Sequence, residues 1–121
     1  DTPTKILRLR DMTLDNKYAH VDFPKLKRGG VDGAFFALYI PAKYDSDYSA
    51  AYVYAHSLLK AVNDTINQNS HLACVTTNVA HAYENQSKNK FSVLWIITCI
   101  SPSILRLNCI NNFFSTIFIF R

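Results

Sequence analysis

HVDFPKLKRGGVDGAFFALYIP, residues 20–41, is the stretch on which the fold of this chain turns. Asp22 stands where a helix cap belongs, and Pro24 is tolerated in a first helical turn, so Phe23–Arg28 predicts a short basic helix. Gly29 and Gly30 stop it, because glycine enters the left-handed conformation without a side-chain clash. Val31 to Ile40 is then almost uncharged and ends at Pro41. Its apolar run, AFFALYI, is too continuous for a strand with one wet face and predicts a strand buried on both faces, as parallel sheets require. Helix, glycine stop and buried strand together form the helix-to-strand half of a βαβ unit, the building block of parallel α/β folds.

The same alternation continues downstream. Asp45, Ser46 and Asp47 offer caps for a helix over about residues 46–68. In it Tyr48, Ala51, Tyr52, Ala55, Leu58, Leu59, Val62 and Ile66 recur at three- and four-residue spacing. Asn67 to Ser70 ends that helix, and Leu72 to Val75 predicts a short strand. Asn78 then caps a second amphipathic helix with Val79, Ala82 and Tyr83 on one face, closed by Lys88-Asn89-Lys90. Phe91 to Leu94 begins another apolar strand. The order β-α-β-α-β-α-β is that of the first half of a barrel. Residues 1–19, by contrast, read as loop: Pro3 breaks the start, and Lys5 to Asn16 show no clean period.

From Trp95 the composition changes. Residues 95–121 hold two charges, Arg106 and Arg121, no carboxylate, and mostly Ile, Asn, Phe and Ser, whose codons are A/T-rich. Neither alternation nor a helical stripe persists. We read 1–94 as one organised unit and 95–121 as an apolar tail of foreign character, such as translation out of frame, through an intron or past a deletion. The rival readings are strands or a membrane segment. Ser101-Pro102 interrupts the longest apolar stretch, which is shorter than the roughly 18–20 residues of a span.

With 121 residues, 49% hydrophobic and 18% charged, the chain can build one small core and is not disordered throughout. The net charge of +4 is scattered, and its one cluster, Lys25–Arg28, sits on a short helix face, so nucleic acid is not the expected partner. Cys74, Cys99 and Cys109 form no C-x-x-C pair and are expected as buried apolar thiols. The sequons Asn63-Asp64-Thr65 and Asn85-Gln86-Ser87 matter only in a secreted protein. Self-association and membrane association are both compatible with this composition.

The wording of residues 20–41 resembles the N-terminal part of the membrane (renal) dipeptidase family of zinc metallopeptidases. In that family a strand ending in His-x-Asp precedes a stretch of the form D-x-P-[KR]-L/M-[KR]-x-GG-[VL]-x-[GA]-x-FF/FW-[AS]-x-Y-x-P. Here the matching residues are Asp22, Pro24, Lys25, Leu26, Lys27, Gly29, Gly30, Val31, Gly33 or Ala34, Phe35, Phe36, Ala37, Tyr39 and Pro41. The opening DTPTKI also matches the residues after the histidine of the family's first metal motif, and the resemblance covers roughly residues 1–94. It implies a partial (β/α)₈ TIM-type barrel, the first βα units only, since a complete barrel takes at least about 200 residues. It also implies an N-terminal fragment, because the chain starts at Asp1 and an upstream segment is expected.

The resemblance further implies two zinc ions, held by His-x-Asp, a bridging glutamate, two histidines and a further aspartate, with a short peptide as substrate. A water shared by two zinc ions is acidic enough to be hydroxide near neutral pH. Of that ligand set only the aspartate maps here, onto Asp1, the one candidate metal ligand. The family's V-L-L-G-[IM]-E-[NG]-G strand reads VLWIITCI here, so Thr98 stands in the position of the bridging glutamate. Thr98 cannot bridge two cations. Glu84, the single glutamate, belongs to a helix and is expected to be solvated. His20, His56, His71 and His81 show neither H-x-H nor H-E-x-x-H spacing. Gly29, Gly30 and Gly33 close a helix and open a strand, the reverse of a phosphate loop. Tyr39, at the strand end, faces a barrel mouth or simply packs. The expected function is thus a dipeptidase fragment inactive by itself. The alternatives are a small interaction or membrane-associated protein using its apolar tail, and another amidohydrolase-type hydrolase on the same barrel. A half barrel also leaves an open strand edge and an uncovered inner face, which predicts marginal stability and aggregation.

Overall fold

A computed structural model describes residues 2–99, and for residues 97–99 the backbone alone. Asp1 and the tail from residue 100 onward lie outside the described residues. The elements are α1 (Thr2–Leu7), α2 (Phe23–Arg28), β1 (Gly33–Ile40), a 3₁₀ helix (Ala42–Tyr44), α3 (Tyr48–Gln68), β2 (Ala73–Val75), α4 (Val79–Ser87) and β3 (Phe91–Cys99).

The predicted helix over Phe23–Arg28 forms as its caps dictate. The Asp22 carboxylate accepts from the Lys25 amide at 2.9 Å, and Pro24 lies in the first turn. At the other end Gly30 takes φ +64°, its N–H donates to the Lys27 carbonyl, and the Val31 N–H reaches back to Leu26. That pair of bonds is a Schellman motif, which satisfies carbonyls the helix leaves over. Asp47 caps α3 through the Ala50 amide, and Asn78 caps α4 through the His81 amide.

The three strands are parallel and lie in the order β1-β3-β2. β1 pairs with β3 along its whole length, from Gly33↔Ser92 to Ile40↔Cys99. β2 pairs only with Phe91–Val93 on the far edge of β3. Chain order and sheet order therefore differ. The connection through α3 steps over one strand position and the connection through α4 steps back. α3 packs on the face of Phe36 and Val93 while α4 reaches Ser92 on the other, as the right-handed crossover rule requires of two connections run in opposite directions.

One face carries the core. Phe36, Leu38, Val93, Phe91 and Ala73 meet Leu58, Val62 and Ile66 of α3, with Ile6 of α1 and Met12 closing the end. Burying each of the larger side chains contributes on the order of 1.5–3 kcal/mol. The α3 stripe expected from its spacing is largely the buried one, although Tyr48 and Tyr52 stand half exposed.

Three expectations need correction. Residues 1–19 are not all loop. Thr2–Leu7 is helical with Pro3 and Ile6 buried, because proline is accepted in a first turn and six residues are too few to show a period. The strand Gly33–Ile40 is not buried on both faces: Phe36 is 3% exposed while its neighbour Phe35 is 58% exposed. The continuous apolar run marks a second face that lacks full cover among the described residues. Finally, α4 does not bury Val79, Ala82 and Tyr83. Its buried residue is Asn85, whose amide donates to Thr76 Oγ1 at 2.8 Å and Ser92 Oγ at 3.1 Å. Polar groups on the sheet at that point, Ser92 and Thr76, draw the polar side of the helix inward.

Candidate functional site

Ligand sites on parallel sheets form where the strands end, because the loops leaving the carboxyl ends are free to carry chemistry. At the end of β1, Pro41 leads into the 3₁₀ helix Ala42–Tyr44. The Tyr44 ring stacks on Tyr54 of α3 with centroids 5.1 Å apart, and Lys43 Nζ lies 4.9 Å from the Tyr44 centroid. Asp45 comes next with its Oδ1 buried and without a hydrogen-bond partner, while Asp47, the third of the offered caps, does the capping. Tyr39 is half buried and in register with Thr98.

The other singled-out residues are dispersed. His20 is exposed in the loop before α2, and His71 is exposed just ahead of β2. His56 is exposed on α3 with its ring 4.3 Å from that of Tyr52. Glu84 is exposed on α4 and paired with Lys88, whose ammonium holds its carboxyl below the ordinary range. His81 lies in the first turn of α4, 3.9 Å from the Cys74 sulfur. Cys74 is half buried rather than enclosed, because β2 lies at the edge of the sheet. The Asn85 sequon is closed to a glycan in the folded chain, since its amide nitrogen is buried and spent on Thr76 and Ser92.

Among the described residues Asp22 is the one buried carboxylate with several partners. Burial pushes its pKa up. The Lys25 ammonium, the Lys25 amide and the Asn16 amide more than offset this and leave it below the ordinary value of 3.8. Lys25 also pairs with Asp15 at 3.0 Å, and Arg28 reaches Asp15 at 2.8 Å. This network locks the loop before α2 onto the helix start. It is structural, since every oxygen of Asp22 already has a partner inside the chain.

A zinc site of the resembled type requires imidazole or carboxylate ligands converging within about 2.0–2.2 Å of each ion. Among the described residues no three of His, Cys, Asp and Glu come together in that way. Asp1 lies outside the described residues, and Thr98, where the resemblance expects a bridging carboxylate, lies on β3 in register with Tyr39. The donors among the described residues therefore do not fit a pair of zinc ions. The spacing rules for metal ligands pointed to no histidine here. They were also silent about the meeting of Cys74 and His81, whose only sequence signal is that both border the same short β2–α4 turn.

The chain's relatives share its fold. The family model described as membrane dipeptidase (peptidase family M19) matches residues 1–101. A crystal structure of a metallopeptidase from Rhodobacter sphaeroides, liganded with a phosphinate mimic of the dipeptide L-Ala-D-Ala, superposes with a TM-score of 0.72 at 19% identity. That match covers 95% of this chain and 40% of the other. A crystal structure of a dipeptidase, a metallopeptidase of family M19, superposes with a TM-score of 0.73 at 20% identity over 96% of this chain and 38% of the other. The chain thus spans about two-fifths of the length of these relatives. No curated protein matches it in sequence.

Proposed function

The chain belongs to the membrane dipeptidase family (peptidase family M19), and we propose from that membership that it forms the opening βα units of a zinc dipeptidase barrel acting on short peptides. The observation that supports this most directly is geometric: nearly all of the described chain superposes on two-fifths of a dipeptidase fold. In the complete barrel this segment supplies two adjacent parallel strands, β1 and β3, and the helix that backs them. The resemblance assigns the zinc pair one ligand from this chain, Asp1. With Thr98 where the resemblance expects a carboxylate to bridge the ions, and no histidine at a carboxyl strand end among the described residues, the chain by itself is inactive.

Metal analysis of the purified chain after equilibration with zinc, together with a dipeptide hydrolysis assay, tests the second half of this reading. The expected result is no stoichiometric pair of zinc ions and no cleavage. Two tightly bound ions per chain would overturn it. The first half is tested on genomic sequence around the segment: a histidine codon two positions ahead of Asp1, and family sequence resuming beyond β3, are expected. Unrelated sequence on both sides would remove the dipeptidase assignment.

A further inference from the structure

Cys74 is the middle residue of β2, the outer strand of the sheet, and its register partner is Ser92. Since Ser92 bonds to Asn85 of α4, the Cys74 side chain leaves on the face that α4 covers. The thiol is half buried, with its sulfur 3.5 Å from the Val75 carbonyl and 3.9 Å from His81 Nε2. His81 is the third residue of α4, and its backbone N–H is fixed by the Asn78 side chain at 2.8 Å. Two features of an accessible, attackable thiol therefore coincide: partial exposure at a sheet edge and an imidazole in contact. The charged group nearest His81 along α4 is Glu84, which is tied to Lys88. β2 and the stretch of β3 it pairs with, Phe91–Val93, carry no charge.

We propose that Cys74 and His81 form a thiol–imidazole pair that makes Cys74 a site of covalent modification by low-molecular-weight disulfides. In the tautomer with Nε2 free, His81 accepts the thiol proton. The Cys74 thiolate attacks one sulfur of R–S–S–R, the S–S bond breaks, and the departing R–S⁻ recovers the proton from His81. The products are one mixed disulfide on Cys74 and one R–SH, so the disulfide is the sole oxidant. This site lies at the carboxyl end of β2, level with Val93 and short of Thr98 on β3, and it uses none of the residues on which the dipeptidase reading rests, so the two stand or fall independently.

The test uses the whole chain carrying Cys99→Ser and Cys109→Ser, which leaves Cys74 as the single thiol. The probe is the aromatic disulfide dithiobis(nitrobenzoate), read by release of its coloured thiolate. The folded chain is expected to react at one thiol per chain and about tenfold faster than the same chain in urea. His81→Gln and His81→Asn are each expected to slow the folded reaction at least about fivefold with an unchanged circular dichroism spectrum. If a variant loses helix signal, the comparison of folded and urea-unfolded parent decides. A folded Cys74 no faster than the unfolded one, or His81 variants that fold and react at the parental rate, would overturn the proposal.

Discussion

Phe35 and Phe36 are adjacent in sequence, identical in chemistry and opposite in environment, which makes them a direct test of the one-sided sheet. Phe36 is 3% exposed and packs against Phe91, ring centroids 6.3 Å apart, within the core shared with α3. Removing such a ring forfeits its transfer free energy and leaves a cavity, at a cost of about 3–5 kcal/mol for Phe36→Ala. Phe35 is 58% exposed, so about two-fifths of its surface is sheltered. It borders a cleft of about 340 Å³ between the sheet and α4, with Val79, Tyr83 and Leu94. No enclosed cavity can form there. Scaling full burial of about 1.5–3 kcal/mol by that two-fifths gives about 1 kcal/mol for Phe35→Ala. Equilibrium urea unfolding monitored by circular dichroism measures both on one scale, and the expected gap is at least about 2 kcal/mol. Equal losses would mean that the Phe35 face is covered in solution, and the reasoning from one-sided burial would fail.

Other substitutions probe the glycine stop, the close strand approach and the buried carboxylate. A Cβ on Gly33 would lie 3.0 Å from the Ser92 carbonyl oxygen and 3.1 Å from its Cβ, so Gly33→Ala should lower stability by about 1–3 kcal/mol in the same urea assay. Gly30 has open space around it and φ +64°, so Gly30→Ala should cost only about 1–2 kcal/mol, from backbone strain alone. Asp22 has its pKa depressed in the fold, so its stabilisation is complete above the ordinary value of 3.8 and is lost as pH falls through the lower folded value. The urea midpoint should therefore fall between about pH 6 and about pH 3, and fall less in Asp22→Asn, which has no carboxyl to protonate there. An equal fall in the variant would assign the acid sensitivity to other carboxylates, such as Asp15.

The open face has a consequence for solubility. Phe35, Ile96, Val79 and Tyr83 are all exposed apolar groups on or beside it, and beyond Val93 β3 has no partner strand on its outer edge among the described residues. Exposed apolar surface next to an open edge favours association. Phe35→Lys is expected to raise the soluble fraction of the chain, measured by sedimentation, without the stability loss of Phe36→Ala.

The sequence by itself determined the elements and their ends. Asp22, Asp47 and Asn78 are caps because a short side-chain acceptor before a helix has few other uses, and Gly30 is the stop because only glycine takes φ +64° freely. The α3 stripe and the family wording of residues 20–41 were equally local signals, and they carried the parallel α/β reading. Only the tertiary structure decided which faces are covered. An apolar run such as AFFALYI states that a strand can be buried twice, and one of its faces meets α3 while the other meets only part of α4. The polar burial of Asn85, the helix at Thr2–Leu7 and the contact of Cys74 with His81 were likewise invisible in the chain. Each depends on what another element presents at the point of contact, and periodicity within one element carries no information about its neighbour.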